Sequence, residues 1–491
     1  MGQGEERPRT FRDLPHFLSF LEQRGELRRV TVPVDAELEI TEIADRVVKS
    51  GGPAILFENV VGCSVPLVIN LFGTERRTSW ALGEESLDAV GERVEKLLRL
   101  TRSELPSSAF DKLKVLGDLA EVASYAPRVV SRAACQDVIN TDDLSLAPFP
   151  ILTCWPGDGG PYFTLPLVIT KDPGSGRRNV GMYRLQVYDE RTTGMHWHLH
   201  KGGAQHYRVA EVSGQRLEVA VALGCDPATI YAATAPLPPN LDEFLFAGFL
   251  RRKGLDLVRC QTISLEVPAN SEIVLEGYVE PGERRMEGPF GDHTGYYSLP
   301  DLYPVFHVTC ITHRHQPIYP ATVVGRPPME DYFLGKATER IFLPMIKMVI
   351  PEIVDLHMPA EGVFHNLLLV SIDKQFPSQA QKVMHAIWGF MGLMLTKAIV
   401  VVDSDVDVHD VSEVTWRACN NVDPRRDLVF ADGPLDALDH SSPYPFRGSK
   451  VGIDATRKGP AEGHPREWPA DIVMDAGVRE LVDRKWKEYG I

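Results

Sequence analysis

The stretch from Asn179 to Lys201 decides the fold, and it reads NVGMYRLQVYD, then ERTTG, then MHWHLHK. The first and last parts are rich in Val, Tyr, Trp and Met and alternate along the chain, with a short polar turn between them. This pattern predicts a β-hairpin. Because alternate residues of a strand share one face, we expect His196, His198 and His200 to point the same way.

A second stretch, Glu287–Tyr297, reads EGPFGDHTGYY and carries two carboxylates on a turn built from Gly and Pro. Its glycines allow a flat ligand to approach the backbone closely, and its aromatic residues supply walls. Two neighbouring acids, Glu287 and Asp292, are expected to separate their pKa values, so that one stays protonated as an acid while a buried Arg holds the other as a carboxylate. Arg184 lies in an otherwise apolar strand and needs such a partner. Simple turn roles for both acids remain open at this point.

Composition limits the class of protein. The chain has 491 residues, enough for about three domains, and a formal net charge of -15 argues against nucleic-acid binding. Seven Cys form no CxxC pair, which favours a reducing cytosol. The polar N-terminus does not resemble a signal peptide, and no apolar run is long enough for a membrane span. We therefore expect a cytoplasmic, multi-domain protein.

Hydrophobic periodicity divides the chain into three parts. Residues 1–115 alternate helices with short strands and predict an α/β domain. Residues 116–332 are rich in strand-like runs separated by Pro/Gly/Asp turns, which favours a β-barrel or closed sheet. Residues 333–491 return to alternation and predict a second α/β domain, with a helix kinked or broken at Pro344. Within it, residues 432–470 are expected to form a long irregular arm before a final helix.

Several common catalytic motifs are absent. The sequence contains no GxGxxG after a strand, no GxxxxGK[ST], no GxSxG and no HExxH. Asp403–Asp407 resembles the start of a calcium loop, but Val408 and Val414 occupy the positions that need Gly and Glu. Ordinary nicotinamide, P-loop and serine hydrolase functions therefore lose their main support.

Longer motifs point to one family. They are Gly51–Asn59 (GGPAILFEN), Cys154–Asp158 (CWPGD), Asn179–Arg184 (NVGMYR), Leu265–Gly277 (LEVPANSEIVLEG), Glu287–Tyr297, Gly325–Pro328 (GRPP), Gly448–Lys450 (GSK) and Gly452–Thr456 (GIDAT). Together they resemble the UbiD family of prenylated-FMN-dependent decarboxylases, which includes 3-octaprenyl-4-hydroxybenzoate carboxy-lyases. The resemblance covers nearly the whole chain. It implies a mixed α+β fold whose central domain is a split, flavin-reductase-like β-barrel binding prenylated FMN, while the C-terminal domain mediates oligomerisation and completes the active site.

The resemblance also implies how the cofactor is held. Asn179, His200 and Glu243 match ligands of a divalent metal, usually Mn²⁺, that bridges the protein to the flavin phosphate, and K⁺ is also implied near that phosphate. Glu243 has a structural interpretation as well, because Asn240 and Glu243 have the spacing of a capping box. Positions matching the cofactor lining are Met182, Tyr183, Arg184, His196, Trp197, His198, Lys201 and Gly202, with Lys397 as a phosphate partner.

The catalytic set implied by the resemblance is Arg184, Glu287 and Asp292, with Asp292 as the proton donor. Loss of CO₂ from an sp² carbon leaves a carbanion that no side chain can stabilise, so a cofactor must serve as the electron sink. Arg184 and Glu287 would then set the position and protonation of Asp292.

The leading hypothesis is decarboxylation of a 4-hydroxybenzoate-type acid, including a 4-hydroxy-3-polyprenylbenzoate, in quinone biosynthesis. A naphthoate-type menaquinone precursor or a catabolic phenolic acid are alternatives, because His196 and His198 stand where ubiquinone-pathway members carry Arg-Trp-Leu and Lys201 replaces an Arg. An FMN-dependent reductase or a non-catalytic subunit would be a different class. The resemblance further implies a flavin prenyltransferase as cofactor supplier, a homo-oligomer (dimer or hexamer), and peripheral membrane contact if the substrate is polyprenylated.

Overall fold

The computed structural model describes residues 10–102, 120–198, 201–238, 241–390 and 392–490 as a mixed α/β protein. This agrees with the predicted mixture of helices and strands. None of the described helices combines the length and apolar character that crossing a membrane requires.

The first described segment contains four helices and three strands. In chain order they are α1 Leu14–Gln23, β1 Leu27–Val30, α2 Glu39–Lys49, β2 Ala54–Phe57, β3 Leu67–Ile69, α3 Glu75–Ala81 and α4 Leu87–Arg102. Helix α1 begins where the Asp13 carboxylate accepts a hydrogen bond from the His16 amide at 3.0 Å. The Ser86 hydroxyl accepts from the Ala89 amide at 3.3 Å at the start of α4. Strands β1 and β2 are parallel, and β3 is antiparallel to β2.

The middle of the chain is dominated by strands. Its elements are β4 Arg128–Val130, β5 Val138–Asn140, β6 Tyr162–Phe163, β7 Leu167–Lys171, β8 Arg178–Met182, β9 Leu185–Gln186, β10 Thr192–Gly194, α5 Gly202–Ser213, β11 Leu217–Leu223, α6 Pro227–Ala232, α7 Glu243–Arg251, β12 Asp256–Arg259, β13 Glu266–Pro268, β14 Ile273–Glu287, β15 Phe290–Gly291, β16 Tyr297–Ser298, β17 Asp301–His313 and β18 Tyr319–Pro320. A short 3₁₀ turn, Ala134–Gln136, precedes β5.

A seven-stranded antiparallel sheet organises this middle part, with the order β10-β17-β14-β11-β7-β8 and with β5 also pairing with β17. In the described residues the outer strands β8 and β10 do not pair with each other, so the sheet is open and the closed barrel is not found. The more specific expectation of a split, flavin-reductase-like barrel is not confirmed. The two longest strands, β14 and β17, pair as far as Glu287 opposite Asp301, which places the acidic loop at the end of this ribbon.

The predicted hairpin is present but shorter than expected. Val187 and Thr193 form an antiparallel bridge around the turn, and strand β10 ends at Gly194. The histidine-bearing part is therefore not a strand as far as it is described. One hairpin bond still reaches it, because the His196 amide donates to the Arg184 carbonyl at 3.3 Å in register with the Val187–Thr193 bridge. The Met195 amide instead donates to the Pro304 carbonyl at 2.9 Å.

The last part of the chain forms a separate five-stranded sheet with the order β19-β20-β21-β23-β22. Its elements are α8 Glu330–Val349, β19 Ile353–His357, β20 Leu367–Ile372, α9 Gln379–Gly389, β21 Ala398–Asp403, α10 Val411–Asn421, α11 Pro424–Asp427, β22 Leu428–Pro434, β23 Arg447–Asp454 and α12 Ala476–Lys485. Short 3₁₀ turns lie at Ala360–Gly362, Pro460–Glu462 and Trp486–Tyr489. Strands β20, β21 and β23 are parallel.

Two predictions for this part need correction. Helix α8 continues through Pro344, so a break there is wrong, whereas a kink at Pro344 stays a prediction. Residues 447–454 are not irregular but form β23, which lies between β21 and β22. The final helix is confirmed as α12.

The central sheet is buried on both faces. Ala220 and Ala222 of β11 join the cluster that contains α1, α4 and α7, whereas Val219 and Val221 face a second cluster that contains Tyr183 and Trp197. Alternate residues of one strand thus pack into two cores. The predicted boundary at 115/116 lies outside the described residues, and that at 332/333 falls within α8. Both boundaries remain predictions.

Candidate active site

Arg184 lies at the centre of a buried network of charges. Its Nε and Nη2 donate to the two carboxylate oxygens of Glu287 at 2.8 and 3.2 Å. Its Nη1 donates to Oδ2 of Asp292, and Nη2 also reaches the Ser298 hydroxyl at 3.1 Å. The Glu287 side chain is 0% exposed, and those of Arg184 and Asp292 are 9% and 10% exposed. One guanidinium therefore fixes both carboxylates in a site largely closed to water.

The fold brings these three residues together from separate elements. Arg184 follows β8, Glu287 ends β14, and Asp292 follows β15. The Phe290 ring lies below the guanidinium, with its centroid 4.4 Å from Cζ of Arg184. The Ser298 hydroxyl accepts from the Phe290 amide at 3.2 Å, so the β15–β16 hairpin is tied to the same arginine.

The backbone of the acidic loop is held by Asp158 of the CWPGD motif. The Asp158 carboxylate accepts from the Gly291 amide at 2.7 Å and from the Trp155 amide at 2.9 Å. A Cβ atom at Gly291 would lie 2.2 Å from Cδ1 of Trp155, so only glycine fits there. Two motifs that are distant in sequence thus form one rigid support for Asp292.

A chain of two imidazoles extends from Glu287. His196 Nδ1 lies 3.0 Å from Oε2 of Glu287, and His196 Nε2 lies 2.7 Å from Nε2 of His198. The His196 ring stacks on Tyr303 at a centroid distance of 4.2 Å. His196 and His198 therefore meet, as predicted from their spacing, although they do not lie on a strand. His200 lies outside the described residues.

A matching chain extends from Asp292. His293 contacts Oδ1 of Asp292 through its amide nitrogen at 2.7 Å and through Nδ1 at 2.8 Å. His293 Nε2 then lies 2.8 Å from Nε2 of His365, which comes from the C-terminal sheet region. Sequence reasoning gave neither histidine a role. His293 was within the quoted loop and could have been noticed, whereas His365 carried no local signal.

Electrostatics differ between the two chains. Burial alone raises the pKa of Glu287, but hydrogen bonds from His196 and Arg184 and the arginine charge lower it to about 2. Burial likewise opposes the ionisation of Asp292, yet the hydrogen bond from His293 and the Arg184 charge hold its pKa well below the usual range. Burial lowers the pKa of His196, and the Arg184 charge adds to this effect. At neutral pH both carboxylates are ionised, so the expectation that one of the two acids stays protonated is wrong. The reason is that Arg184 pairs with both acids and each also has a histidine partner. His196 is neutral.

His293 is the exception among these histidines. Burial alone lowers its pKa, but the hydrogen bond and negative charge of Asp292 raise it to about 9. The pKa of His365 falls to about 4, because the ring is buried and because the charge of His293 is close. Arg184 and His293 are therefore the two cations that balance the two carboxylates.

A second group of predicted residues surrounds the start of α7. Glu243 accepts a hydrogen bond from the Val180 amide at 3.1 Å, and Asn179 donates to the Tyr183 hydroxyl at 3.3 Å. A Cβ atom at Gly202 would lie 1.9 Å from Oδ1 of Asn179, so that side chain lies against the Gly202 backbone. Asn179, Tyr183, Gly202 and Glu243 thus lie together beside β8.

The oxygen donors of this group fit a divalent cation. Burial raises the pKa of Glu243 to about 7, and a bound cation would restore the carboxylate. Amide and carboxylate oxygens are donors that hard cations accept. The predicted capping box is wrong, because Asp242 is the N-cap of α7 and accepts from Phe244 and Leu245. Asn240, like His200, lies outside the described residues.

The remaining predicted cofactor residues occupy several positions around these groups. Trp197 is buried against Tyr207, and a Cβ atom at Gly203 would lie 2.6 Å from its Nε1. Met182 is partly buried, with its amide donating to the Ala233 carbonyl at 3.1 Å. Lys201 is the N-cap residue of α5. In sequence, Trp197 lies next to His196 and His198, Met182 lies next to Tyr183, and Lys201 lies next to Gly202.

Lys397 immediately precedes β21 of the C-terminal sheet. It forms a salt bridge with Asp439 at 2.9 Å and donates to the Ser441 hydroxyl. The same loop carries Asp436, whose charge acts on His198 and His293. The C-terminal part therefore reaches the histidine chains through this loop.

A third polar cluster lies apart from the predicted site. Oxygen and nitrogen atoms of Glu339, His357 and His409 lie within 4.8 Å of one another, a spacing that a metal ion could use. However, Nζ of Lys336 lies 2.7 Å from Glu339, 2.9 Å from His357 and 3.0 Å from His409. An ammonium has three donors, and here each of them has an acceptor. Lys336 therefore already occupies the position of the cation.

Three family models match this chain. The UbiD N-terminal domain model covers residues 18–97, the UbiD Rift-related domain model covers 128–327, and the UbiD C-terminal domain model covers 332–455. All three are described by the name 3-octaprenyl-4-hydroxybenzoate carboxy-lyase.

Relatives and solved structures match along nearly the full length. An uncharacterized protein of Archaeoglobus fulgidus is 54% identical over 481 residues, with 98% of each chain covered. The UbiD-class enzyme HmfF from Pelotomaculum thermopropionicum, solved with FMN, has 31% identity and a TM-score of 0.80, with 96% of this chain and 99% of HmfF covered. Vanillic acid decarboxylase from Sedimentibacter hydroxybenzoicus, in its closed form, has 29% identity and a TM-score of 0.84, with 98% and 99% covered.

Proposed function

Because this chain belongs to the UbiD family of carboxy-lyases, which decarboxylate aromatic acids, we propose that it removes CO₂ from a 4-hydroxybenzoate-type acid with prenylated FMN bound. The observation that carries this proposal is the buried Arg184, which holds Glu287 and Asp292 together. An acid and a positioning ion pair are what proton delivery to a carbon requires. The sequence resemblance assigned the same three residues to that role.

The chain's own residues would orient the substrate and move one proton. Prenylated FMN, when bound, supplies the electron sink that decarboxylation at an unsaturated carbon needs. Asp292 would deliver the proton to the carbon that has lost CO₂. Arg184 would hold Asp292 in place, and Glu287, anchored by two guanidinium bonds, would fix Arg184. The low exposure of all three side chains keeps bulk water from competing with this proton transfer.

The cofactor would be held through its phosphate and its ring. We propose that Asn179 and Glu243, together with His200, hold Mn²⁺ against the phosphate, with Lys397 as a further phosphate partner and K⁺ nearby. The predicted ring-side residues are Met182, Tyr183, Arg184, His196, Trp197, His198, Lys201 and Gly202. The support for the metal is the chemistry of the Asn179 and Glu243 oxygens and the burial of Glu243.

We propose first that the enzyme acts in quinone biosynthesis. Its substrate would then be a 4-hydroxybenzoate, including one that carries a polyprenyl chain. A catabolic phenolic acid is the second candidate, because vanillic acid decarboxylase has nearly the same fold along the full chain. A flavin prenyltransferase would supply the cofactor. We further propose that the protein is a cytoplasmic homo-oligomer, and that it contacts the membrane surface if its substrate is polyprenylated.

The test is coexpression with a flavin prenyltransferase, followed by a panel of acids. The panel contains 4-hydroxybenzoate, its 3-prenyl derivative, vanillate and 1,4-dihydroxy-2-naphthoate, and CO₂ release is measured for each. We expect release from at least one acid and none from the Asp292→Asn variant carrying the same cofactor, as judged by mass and absorbance. Stoichiometric NADPH oxidation without CO₂ release by the loaded protein would instead indicate a flavin reductase.

A further inference from the structure

Two similar chains of side chains start at the two carboxylates that pair with Arg184. One runs from Glu287 to His196 and His198, and the other runs from Asp292 to His293 and His365. Each consists of a carboxylate followed by two imidazoles whose Nε2 atoms are 2.7 or 2.8 Å apart. At such a distance one ring donates and the other accepts, so the protonation of each chain is constrained.

The surroundings of His293 favour a positive charge. Its own loop contributes the ionised Asp292, helix α8 contributes Asp331, and the loop after β22 contributes Asp436. The only ring nitrogen facing it is Nε2 of His365, among the described residues. Around His196, by contrast, the nearby Arg184 charge opposes protonation. A proton is therefore expected on the Asp292 side and not on the Glu287 side.

The hydrogen bond to His293 decides which ring nitrogen of His365 carries a proton. If His293 donates from both ring nitrogens, His365 must accept at Nε2 and carry its own proton on Nδ1. Its Nδ1 is buried and has no hydrogen-bond partner among the described residues, as expected for a ring whose orientation is dictated by Nε2 alone. The strong lowering of its pKa agrees with a neutral ring.

The segment that carries His365 is held under backbone strain. Val363 and Phe364 have φ values of 54° and 43°, in the left-handed region that residues with large side chains rarely adopt. Helix α8 packs tightly against this turn, since a Cβ atom at Gly335 would lie 2.9 Å from Cδ2 of Phe364. The Phe364 ring lies 5.7 Å from the His293 ring. This packing fixes the position of His365 relative to His293.

Resting on the proposed decarboxylation, we propose that His293 stores the proton that Asp292 delivers to the substrate carbon and that His365 holds His293 in position for this transfer. Both histidines are positioning residues, because they act through Asp292. Asp292 is ionised when it is paired with a charged His293, so it cannot itself store the proton in that state.

The proton balance of this step is simple. The C–C bond to the carboxylate breaks, CO₂ leaves, and the bonding electron pair stays with the carbon that then takes a proton from Asp292. The Asp292 carboxylate takes the Nδ1 proton of the His293 imidazolium, which becomes a neutral imidazole. A proton from solvent restores the imidazolium. One proton replaces one CO₂, and nothing is oxidised or reduced.

The first test does not depend on catalysis. Full-length protein labelled with ¹⁵N-histidine is titrated by NMR from pH 6 to pH 10, and His293→Asn identifies the resonance. We expect an imidazolium that persists through pH 8, and an apparent pKa at least one unit lower in Asp292→Asn. A second variant, His365→Asn, should lower the apparent pKa of His293 by a smaller amount. A neutral His293 ring at pH 7 would overturn the inference whatever the activity.

The second test uses the cofactor-loaded enzyme and the best acid from the panel. We expect the wild-type pH profile to fall on the alkaline side near pH 9, where His293 loses its proton. His293→Asn is expected to lower kcat at least about tenfold, with KM within about threefold, and to remove that alkaline fall. His385→Asn, on the exposed face of α9, is the matched control and should retain both kcat and the pH profile. A normal profile in His293→Asn would refute the stored proton while leaving decarboxylation established.

The two tests separate the possible failures. If no acid in the panel releases CO₂, the proposed function fails, but the titration still reports whether His293 is charged. Retained cofactor absorbance and an unchanged melting curve in His365→Asn show that altered titration reflects lost positioning and not unfolding.

Discussion

Arg184 and Glu287 form a bidentate ion pair, with Nε to Oε1 at 2.8 Å and Nη2 to Oε2 at 3.2 Å. This geometry leaves Nη1 directed at Asp292, so the position of the second acid depends on the pairing of the first. Removing any one of the three would leave a buried charge without its partner. The three residues should therefore behave as one unit in mutagenesis.

The first prediction concerns activity. Asp292→Asn and Arg184→Ala should each lower decarboxylation at least about 100-fold, because one removes the proton carrier and the other removes its support. Both changes disable the same step, so their effects should not multiply. The decarboxylation rate of the double variant should lie within about threefold of that of the less active single variant. CO₂ release from protein with matched cofactor content measures the effect.

Arg46→Ala is the control for the arginine change. Arg46 pairs with Glu42 on the surface of α2, where side chains are 76% and 56% exposed, so its loss should be close to neutral. Turnover near the wild-type rate in Arg184→Ala would remove Arg184 from the proposed catalytic set.

The second prediction concerns stability at alkaline pH. The pKa of His293 is raised from 6.5 to about 9, so the folded state holds this proton more tightly than the unfolded chain. The resulting stabilisation is fully present below about pH 6.5 and is lost as pH rises to about 9, with a size of at most about 3 kcal/mol.

Melting temperatures of the wild type and His293→Asn, recorded from pH 6 to pH 9.5, measure this effect. We expect the wild type to melt higher at pH 6 and the difference to narrow steadily toward pH 9. His385→Asn should differ from the wild type by the same small amount at every pH. If the difference in melting temperature between the wild type and His293→Asn were the same at every pH, the proton on His293 would not contribute to the stability of the folded state.

Local periodicity was sufficient for most of the fold. Helical spacing predicts α9 and the apolar run predicts β21. Alternation predicts strands at Glu272–Val279 and Phe306–His313, which are parts of β14 and β17, but not the rest of these two long strands. The residues of the charge network were predictable because Asn179–Arg184 and Glu287–Tyr297 are long, specific motifs that resemble a known family. Their contact in the structure, through Arg184, is consistent with that reading.

What the sequence could not supply was contact between distant loops. His365 lies 72 residues from His293, and neither a period nor a motif links them. The run after Gly194 alternates like a strand, but the Met195 amide bonds to the Pro304 carbonyl and the Trp197 amide bonds back to the Met195 carbonyl, so its described part forms no strand. Strand β23 was missed because Gly448 and Ser449 interrupt its pattern, while pairing on both sides stabilises it nevertheless.

The third prediction concerns the cluster around Lys336. In the wild type the ammonium donates to Glu339, His357 and His409, so these groups are not available to a metal ion. Lys336→Ala should free one carboxylate and two imidazoles at a spacing suited to a tetrahedral metal. We expect Co²⁺ to give intense visible bands in this variant and not in the wild type.

The control for this experiment is Lys336→Ala combined with His409→Asn, which removes one donor and should lose the bands. Cobalt at an oxygen-rich site elsewhere absorbs weakly, so the difference between variants reports this cluster. Equally intense bands in the wild type would show that Lys336 does not exclude the ion.

The fourth prediction concerns oligomerisation through the C-terminal segment. Helix α12 has no buried residue, and the segment around it exposes apolar side chains at Ile472, Val473, Met474, Val478, Leu481, Trp486 and Tyr489. Exposing so many apolar side chains within one short segment is costly in water and is typical of a protein–protein contact. A chain ending at Pro469 should therefore contain fewer subunits per particle than the full chain, as measured by light scattering after gel filtration.

Two point variants test the same contact. Leu481→Asp should also lower the number of subunits, whereas Val212→Asp, at a 91% exposed position on α5, should leave it unchanged. A shortened chain with the same mass multiple as the full chain would place the subunit contact elsewhere on the molecule.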